Sequence, residues 1–478
     1  MNKSRRNFLS GSATIGAGLL ASRSIAAQHQ HEQMPAHSQM PMPGNQTPAD
    51  GQPVPVQTLD LPKLPWTLDG GVKVFNLTAE VVKRPFLPRK VFDVWGYNGV
   101  CPGPTIEVSE GDRVRIVFRN NLPEPTSIHW HGLEVPIAMD GTPAISQPLV
   151  DPGQTYTYEF TLHQNGTFFY HSHMPMQEMM GQIGFFIIHP RTPHQPKVDK
   201  DFGIILQEWA ILPNNTVPNS LSMEFNWLTF NGKAGPDSTP LIVRLGERVR
   251  IRFVNLGMDH HPIHLHGNQF YVTGTEGGRI PQTAWYPGNT VLVGVAQARD
   301  VEFDANRAGD WMLHCHLPHH MMNQMASMVG PMAHQGSGMH TGMGMEEGMG
   351  VVRNSGATSQ ELGPSLGRGT GLAAWDTRVS NAVGQQQEPQ HPMDMKKMPA
   401  PQQQPRKLVP GYPQDMFMTM DEEVAKPETY GLPEGWTGAM MGMMTLVRVL
   451  PPDMYDKVRD LVKKGRAQQP KQSDHQHG

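Results

Sequence analysis

Short runs of alternating polar and apolar residues recur along the chain, and Gly, Pro or Asn turns interrupt them. The clearest are VRIVF, within GDRVRIVFRNN from Gly111, and VRIRF, within GERVRIRFVNL from Gly246. Side chains alternate between the two faces of a strand, so each run predicts a strand with one buried face. Frequent short strands of this kind predict an all-β chain built from antiparallel sandwiches.

These two runs belong to an internal repeat. HWHG begins at His129 and HLHG at His264, the same offset of 135 residues that separates the two strand runs. Further on, YHSHMP from Tyr170 matches LHCHLP from Leu313 at an offset of 143 residues. A repeat of this length predicts two tandem Greek-key sandwich domains, which we assign to residues 66–190 and 200–335.

The second copy of the repeat is predicted to be interrupted. MMGQIGFFIIHP closes the first copy at residues 179–190, and the similar MMGMMTLVRVLP appears only at residues 440–451. The polar, Met-, Gln- and Pro-rich stretch that precedes this second run cannot bury a core. We interpret residues 336–435 as a low-complexity insertion and place the last strand at 438–451; a disordered tail is the alternative. Residues 452–478 are predicted to form a short amphipathic helix and a disordered end.

The beginning of the chain resembles an export signal. Arg5 and Arg6 precede an apolar run without a polar face, and Ala26 and Ala27 offer a small-residue cleavage site. The run is too short to span a bilayer. Residues 1–27 are therefore predicted to be a twin-arginine signal, which places the mature protein in the periplasm or outside the cell. Residues 28–65 are predicted to be a disordered His/Met-rich leader.

The amino-acid composition indicates which kind of chemistry to expect. The chain has 478 residues with a net charge of -4, and only 17% of them are charged. No basic stripe suggests a nucleic-acid partner. The 23 histidines and 32 methionines, beside only two cysteines, are the unusual counts. Imidazole and thioether groups in such numbers indicate copper chemistry.

Histidines occur in four HxH pairs, at matching places in the two copies. Residues i and i+2 of a strand share a face, so each pair can aim two imidazoles at one point. One such pair is weak evidence, whereas four at corresponding places predict a metal site. The eight imidazoles are enough for three copper ions. The pairs are His129/His131, His171/His173, His264/His266 and His314/His316.

The stretch HCHLPHHMMNQM begins at His314 and contains one of the two cysteines. Structural zinc usually takes paired cysteines, and the chain has no CxxC. A lone cysteine can also be a small buried apolar residue. Its neighbours favour a blue copper site, which takes one thiolate, two imidazoles and a weak thioether. Cys315, His320 and Met325 supply three of these ligands, so a second histidine must come from elsewhere.

HWHG, HSH, HPIHLH and HCHLPHHMMNQM resemble, in order and spacing, the four copper motifs of the multicopper oxidases. The resemblance covers residues 66–335 and implies tandem cupredoxin-like domains with four copper ions per functional unit. It implies type 2 copper on His129 and His264, one type 3 copper on His131, His171 and His316, and the other on His173, His266 and His314. It implies type 1 copper on His261, Cys315, His320 and axial Met325, with Met321, Met322, Met328 and Met441 as alternative axial ligands.

Two further expectations depend on this resemblance. Asp140 falls where the family keeps an acid near the cluster, so it is expected to supply protons; the alternative is an ordinary turn residue before Gly. The first copy has Thr126, Ser172 and Gln177 at the places of the type 1 ligands, with Gln182 or Ile183 for the axial methionine. One blue site is therefore expected, in the second domain.

The implied activity is oxidation of a small donor or metal ion, with dioxygen reduced to water. Cuprous ion, phenols and Mn(II) are the candidate donors, and the methionines favour cuprous ion. The alternatives are a copper-sequestering protein without activity and a copper nitrite reductase, which keeps its type 1 ligands in the first domain and lacks the eight cluster histidines.

The short linker after Pro190 leaves no middle domain, so we expect a homotrimer whose clusters lie between subunits; the rival is a monomer.

Overall fold

Strands dominate the part of the chain that the structure describes. A computed structural model describes residues 53–212, 215–321 and 419–468, which fold mainly into four β-sheets. Two sheets form each of two successive sandwiches. This arrangement confirms the predicted all-β class with tandem cupredoxin-like domains. Within the described residues, no helix combines the length and apolar character needed to cross a membrane.

The first sandwich packs one sheet of order β1-β2-β5-β7, with β3 beside β2, against a second sheet of order β4-β9-β8-β6. A short helix, α1, follows β8. The elements are β1 Trp66–Asp69, β2 Val72–Leu87, β3 Lys90–Tyr97, β4 Gly103–Ser109, β5 Arg113–Asn120, β6 Ile128–His131, β7 Thr155–Thr161, β8 Gly166–Ser172, α1 Pro175–Glu178 and β9 Ile183–His189.

The second sandwich repeats this plan with sheets of order β11-β10-β13-β19-β15-β16, with β17 beside β15, and β12-β21-β20-β14-β18. A helix, α2, follows the last strand. The elements are β10 Lys200–Trp209, β11 Trp227–Phe230, β12 Leu241–Arg244, β13 Arg248–Asn255, β14 His261–Leu265, β15 Phe270–Thr275, β16 Gly278–Arg279, β17 Tyr286–Gly288, β18 Thr290–Val293, β19 Gln297–Asp304, β20 Gly309–Cys315, β21 Met444–Leu450 and α2 Pro452–Gln468.

The two repeated strand runs are buried differently. In β5 the burial alternates as the pattern predicts, because every second side chain enters the core of the first sandwich. In β13 the polar face is also buried. There Arg252 donates to Asp201 at 2.7 Å and to the Thr167 hydroxyl of the first sandwich at 2.6 Å. Contact between the sandwiches therefore covers a strand face that the alternation alone would leave in water.

Strand β21 reaches the second sandwich after a long separation in sequence. It pairs antiparallel with β20 and parallel with β12, and so is an interior strand of its sheet. Buried Arg448 donates to the Asp310 carboxylate at 2.7 Å and to the carbonyls of Glu428 and Tyr430. The closing strand thus supports the strand that contains Cys315.

Two predicted low-complexity segments are shorter than expected. The leader was expected to be disordered to residue 65, but residues 53–65 pack on the sandwiches with Val56 and Leu64 buried. The insertion was expected to run to residue 435, but from residue 419 the chain is packed, and Val424 is 1% exposed. Both predictions were wrong at these ends because a few apolar side chains within polar stretches find buried positions.

Several predicted segments lie outside the described residues. These are the export signal at 1–27 and residues 28–52 of the leader. Residues 322–418, which include the predicted end of the second domain and most of the insertion, and residues 469–478 also lie outside them. The domain boundaries at 66–190 and 200–335 therefore stay predictions.

Candidate metal centre

The strand pairing of the two sandwiches puts their histidines in equivalent places. In the first, β6 pairs with β8 so that His129 lies opposite His171. In the second, β14 pairs with β20 so that His264 lies opposite His314. The same register in both copies brings two HxH pairs together at one edge of each sandwich.

Three of the four predicted type 1 ligands meet in the second sandwich. The Nδ1 atoms of His261 and His320 are 3.1 Å apart, and the Cys315 Sγ atom lies 3.8 Å and 3.4 Å from them, respectively. All three side chains are fully buried. Two imidazole nitrogens and one sulfur facing one point form the donor set that a blue copper ion takes. Met325 lies outside the described residues, so the axial ligand stays a prediction.

Carboxylates lie behind both type 1 histidines. His261 donates from Nε2 to the Glu208 carboxylate at 2.9 Å, and Glu208 is fully buried. The Nε2 atom of His320 lies 3.4 Å from the Asp259 carboxylate, but it forms no hydrogen bond within the described residues. A proton on Nε2 of His261 leaves its Nδ1 free to bind a metal, and an outer partner such as Glu208 orients a metal ligand. Glu208 was not found in the sequence analysis, because it is distant from every motif.

The first sandwich contains a counterpart of this site without metal ligands. Thr126 and Ser172 have their hydroxyl oxygens 3.1 Å apart, and Ser172 donates to the Gln177 side chain at 2.8 Å. These are the three residues that the repeat aligns with His261, Cys315 and His320. A buried hydrogen-bonded trio replaces the soft donor set, so within the described residues one blue-copper donor set is formed.

The first cluster of imidazoles, called here the first quartet, consists of His129, His131, His171 and His173. The ring of His129 lies 5.7, 5.3 and 5.4 Å from the rings of His131, His171 and His173. The Nδ1 atom of His131 lies 3.3 Å from Nε2 of His171. These two residues are a pair that the resemblance assigns to one type 3 copper.

The second quartet consists of His264, His266, His314 and His316. The ring of His264 lies 4.9, 5.6 and 5.4 Å from the rings of His266, His314 and His316. The Nε2 atoms of His266 and His314 are 3.0 Å apart, and these two residues are also predicted to share a type 3 copper. Each quartet therefore places its predicted type 2 ligand beside the other three rings.

Backbone carbonyls hold the rings in orientations suited to metal binding. His129 donates from Nδ1 to the carbonyl of Asp140 at 2.7 Å, and His264 donates from Nδ1 to that of Asn289 at 2.8 Å. His171 and His314 donate in the same way to the carbonyls of the residues that follow them. Because Nδ1 holds the proton, Nε2 of each ring remains available as a ligand.

Asp140 lies beside the first quartet, as the sequence predicts. Its carboxylate accepts from the Thr142 hydroxyl at 2.6 Å and lies 3.6 Å from Nδ1 of His129. Gly141, with φ of 90°, allows this turn, since a Cβ there would collide with the carbonyl of Ile128. A second acid, Glu178, was not predicted and lies 3.2 Å from Nδ1 of His171. The role of Asp140 in proton supply stays a prediction.

Burial suits the candidate ligands to a metal but keeps the thiol protonated without one. Burial and the neighbouring imidazoles lower the pKa of His131 to about 4, and burial and His261 lower that of His320 to about 3. These rings are therefore neutral near pH 7 and can bind a metal. Burial raises the pKa of the Cys315 thiol to about 12. A metal that binds Cys315 must displace its proton.

No ring contact or hydrogen bond joins the two quartets in the described part of the chain. Among the described residues, which include all eight histidines, each ring contact or hydrogen bond between two of these histidines joins members of the same quartet. Each quartet also reaches solvent: His129, His173, His264 and His266 are partly exposed and His316 is exposed.

Comparison with known proteins gives consistent matches. Two family models, both described as multicopper oxidase, match residues 80–193 and 212–331. Copper resistance protein A of Escherichia coli is 38% identical over 134 residues, which are 28% of this chain and 22% of that protein. Laccase-2 of Botryotinia fuckeliana is 32% identical over 236 residues, 45% of this chain and 40% of that protein. The chain thus spans well under half the length of these curated relatives.

Among solved structures, a blue copper oxidase from Nitrosomonas europaea matches with 30% identity and a TM-score of 0.49. That match covers 52% of this chain and 81% of the other chain.

Proposed function

The chain belongs to the multicopper oxidase family, and on that premise we propose that it is an exported oxidase that couples oxidation of a small donor to reduction of dioxygen to water. The family binds copper in type 1, type 2 and type 3 sites. The observation that supports the proposal best is the buried convergence of His261, Cys315 and His320, together with two histidine quartets in equivalent places.

The residues of the second sandwich fit a type 1 copper. Their donor set is soft, buried and already converged, so little rearrangement is needed to bind the ion. Copper bound there would supply one-electron redox chemistry at a site shielded from water. Cys315 is joined by peptide bonds to His314 and His316, so this donor set and the second quartet are covalently connected. Met325 or another methionine would supply the thioether that completes this set.

We propose that the cluster site forms between subunits of a homotrimer. The first quartet of one chain would face the second quartet of its neighbour and so bring together the two type 2 ligands, His129 and His264, and the six type 3 ligands. The lack of direct contact between the two quartets in the described part of one chain supports this arrangement. A head-to-tail contact of this kind closes into a ring when the rotation allows it. The rival is a monomer whose own two quartets form the cluster.

Exposed apolar side chains beside both quartets also support an interface. Ile137 and Ile145, in the segment that follows His131, are 70% and 79% exposed. On β18, which pairs with β14, Leu292 is 56% exposed. Large apolar residues left in water next to incomplete metal sites are expected where a partner covers them.

The protons that dioxygen needs would come through acids near the first quartet. Asp140 lies beside His129, and Thr142 holds its carboxylate in place. One dioxygen takes four electrons and four protons to give two waters, so a carboxylic acid close to the cluster has a clear use.

The donor is proposed as cuprous ion, a phenol or Mn(II), and export by the twin-arginine route would place the oxidation in the periplasm. Two relatives support different donors by name: copper resistance protein A and laccase. Oxygen uptake by the copper-loaded protein with each donor in turn tests the proposal. We expect one dioxygen to be consumed per four electrons supplied. A fully loaded protein that consumes no oxygen with any donor would indicate a copper-sequestering protein instead.

A further inference from the structure

One member of the first quartet, His131, contacts the second sandwich of the same chain. Its Nδ1 atom faces Nε2 of His171 at 3.3 Å, so Nε2 is the ring nitrogen turned away from the quartet. Burial and His171 lower the pKa of His131, and a hydrogen bond from the ring to the Ala296 carbonyl acts against them. Ala296 lies in the turn between β18 and β19. The His131 ring is therefore anchored across the boundary between the sandwiches.

This anchor differs from those of the other rings. Four histidines donate from Nδ1 to a carbonyl of their own sandwich, which leaves Nε2 as the free nitrogen: His129, His171, His264 and His314. Of these five anchored rings, His131 alone has its carbonyl partner in the other sandwich and its Nδ1 atom toward its neighbour. Its orientation therefore depends on how the two sandwiches contact each other.

Packing around His131 also comes from both sandwiches. The His131 ring stacks on Phe169, with centroids 4.2 Å apart and 15° between the planes. Phe169 belongs to a buried apolar cluster drawn from both sandwiches, and Ala296 packs against that cluster. The next residue, Gly132, has a φ of 85°, and a Cβ there would lie 3.3 Å from the Glu276 carbonyl of the second sandwich. Both the ring and the following backbone thus contact the second sandwich.

The turn that contains Ala296 has a fixed, uncommon conformation. Ala296 has a φ of 58°, a region that side chains other than those of Gly, Asn and Asp rarely adopt. The backbone N–H of Val295 donates to Nδ1 of His260 at 3.0 Å, and His260 directly precedes the type 1 ligand His261. Such a conformation persists only where surrounding contacts determine it, and it is common near functional sites.

We propose that the turn at residues 294–296 positions His131 for metal binding, and that His260 holds this turn in place. This inference rests on the proposed function, in which His131 is a type 3 ligand. The Ala296 carbonyl keeps the proton on Nε2 of His131, so Nδ1 stays free beside Nε2 of His171. In the proposed trimer, this first quartet serves a different cluster from the one that Cys315 adjoins. The turn therefore connects each type 1 set with a second cluster.

Copper binding by Ala296→Pro, with Ala296→Gly as the conservative variant, tests the anchor apart from activity. Proline fixes φ near −65° and cannot form this turn, whereas glycine adopts a positive φ freely. Chelator competition measures total bound copper, and the blue absorbance reports the type 1 set separately. Ala296→Pro should stay blue but bind the remaining copper about tenfold or more weakly, as for other lost outer partners. Ala296→Gly should bind copper like the wild type.

His260 offers a second pair of variants that leave the turn sequence intact. In His260→Asn the side-chain oxygen can replace Nδ1 as the acceptor for Val295, whereas His260→Ala removes the acceptor. The alanine variant should bind cluster copper about two- to tenfold more weakly, as expected for one lost hydrogen bond, and the asparagine variant should restore the affinity.

Three results decide the matter. Unchanged affinity for cluster copper in both Ala296→Pro and His260→Ala would overturn the proposal. So would parallel loss of the blue colour and of cluster copper in Ala296→Pro, because the turn would then support only the folding of the second sandwich. If cluster copper is lost as expected but the wild type consumes no oxygen with any donor, the positioning role stands and the proposed oxidase function fails.

Discussion

Replacement of Glu208 by glutamine should weaken copper binding at the type 1 set without unfolding the protein. The Glu208 carboxylate is fully buried and accepts three hydrogen bonds. The donors are the backbone N–H groups of Met258 and Asp259, the latter at 2.9 Å, and Nε2 of His261 at 2.9 Å. All three point at a group that has no hydrogen to donate when ionised.

A glutamine side chain cannot satisfy this arrangement. If its carbonyl oxygen accepts from the two backbone groups, its NH₂ group faces the proton on Nε2 of His261. The ring then has to move that proton to Nδ1, the atom that faces Cys315 and His320. Loss of an outer partner of a metal-bound histidine typically costs 10–100-fold in metal affinity, or about 1.4–2.7 kcal/mol. We expect a loss of about this size.

Copper titration of the metal-free protein against a competing chelator, followed by the blue absorbance, measures the effect. Glu178→Gln is the matched control, because Glu178 lies beside His171 of the first quartet and not beside the type 1 set. The control should keep the affinity of the blue site. An affinity of Glu208→Gln within twofold of the wild type would refute the idea that Glu208 fixes the proton on His261.

Three other perturbations follow from the same geometry. Cys315→Ser should abolish the blue colour while the eight histidines still bind copper, and a variant that stays blue would contradict the assignment of Cys315. Copper affinity at the type 1 set should rise about tenfold per pH unit between pH 5 and 8, because the Cys315 thiol, with its pKa raised to about 12, must lose its proton to bind copper. His320 adds no pH dependence in this range, because its pKa is lowered to about 3 and the ring is already neutral. A flat pH profile in chelator competition would oppose this. Arg448→Met leaves Asp310 and two carbonyls without their buried partner and should lower the free energy of unfolding by about 3 kcal/mol in a urea titration, whereas a cost below about 0.5 kcal/mol would show that Arg448 does not hold β21.

Local pattern and the repeat predicted the parts of the site that lie within one strand. An HxH pair needs only the alternation of side chains, and β6 and β14 place theirs as expected. The repeat alignment also puts Thr126, Ser172 and Gln177 at the places of the type 1 ligands, and in the structure these three side chains lie together. These inferences use only the geometry of residues i and i+2 and of equivalent residues in two copies, which does not depend on the rest of the fold.

Features that depend on distant pairing could not be predicted. Glu208 and His261 are 53 positions apart in sequence. They meet because β10, which contains Glu208, pairs parallel with β13. Arg252 is buried because Thr167 of the other sandwich packs against it. The packed ends of the leader and the insertion depend on single apolar residues such as Val56 and Val424. No local pattern marks these positions, since the partner that buries each of them is remote in sequence.

Co-expression of two inactive variants tests the central claim, that the cluster forms between subunits, most directly. His131→Ala disables the first quartet, and His266→Ala disables the second. In mixed trimers, some interfaces pair the intact first quartet of one variant with the intact second quartet of the other. With equal and random mixing, about a quarter of the interfaces are intact, so about a quarter of the wild-type oxygen uptake should return. A copper-loaded wild type that is monomeric and fully active, together with no recovery in the mixture, would contradict the account.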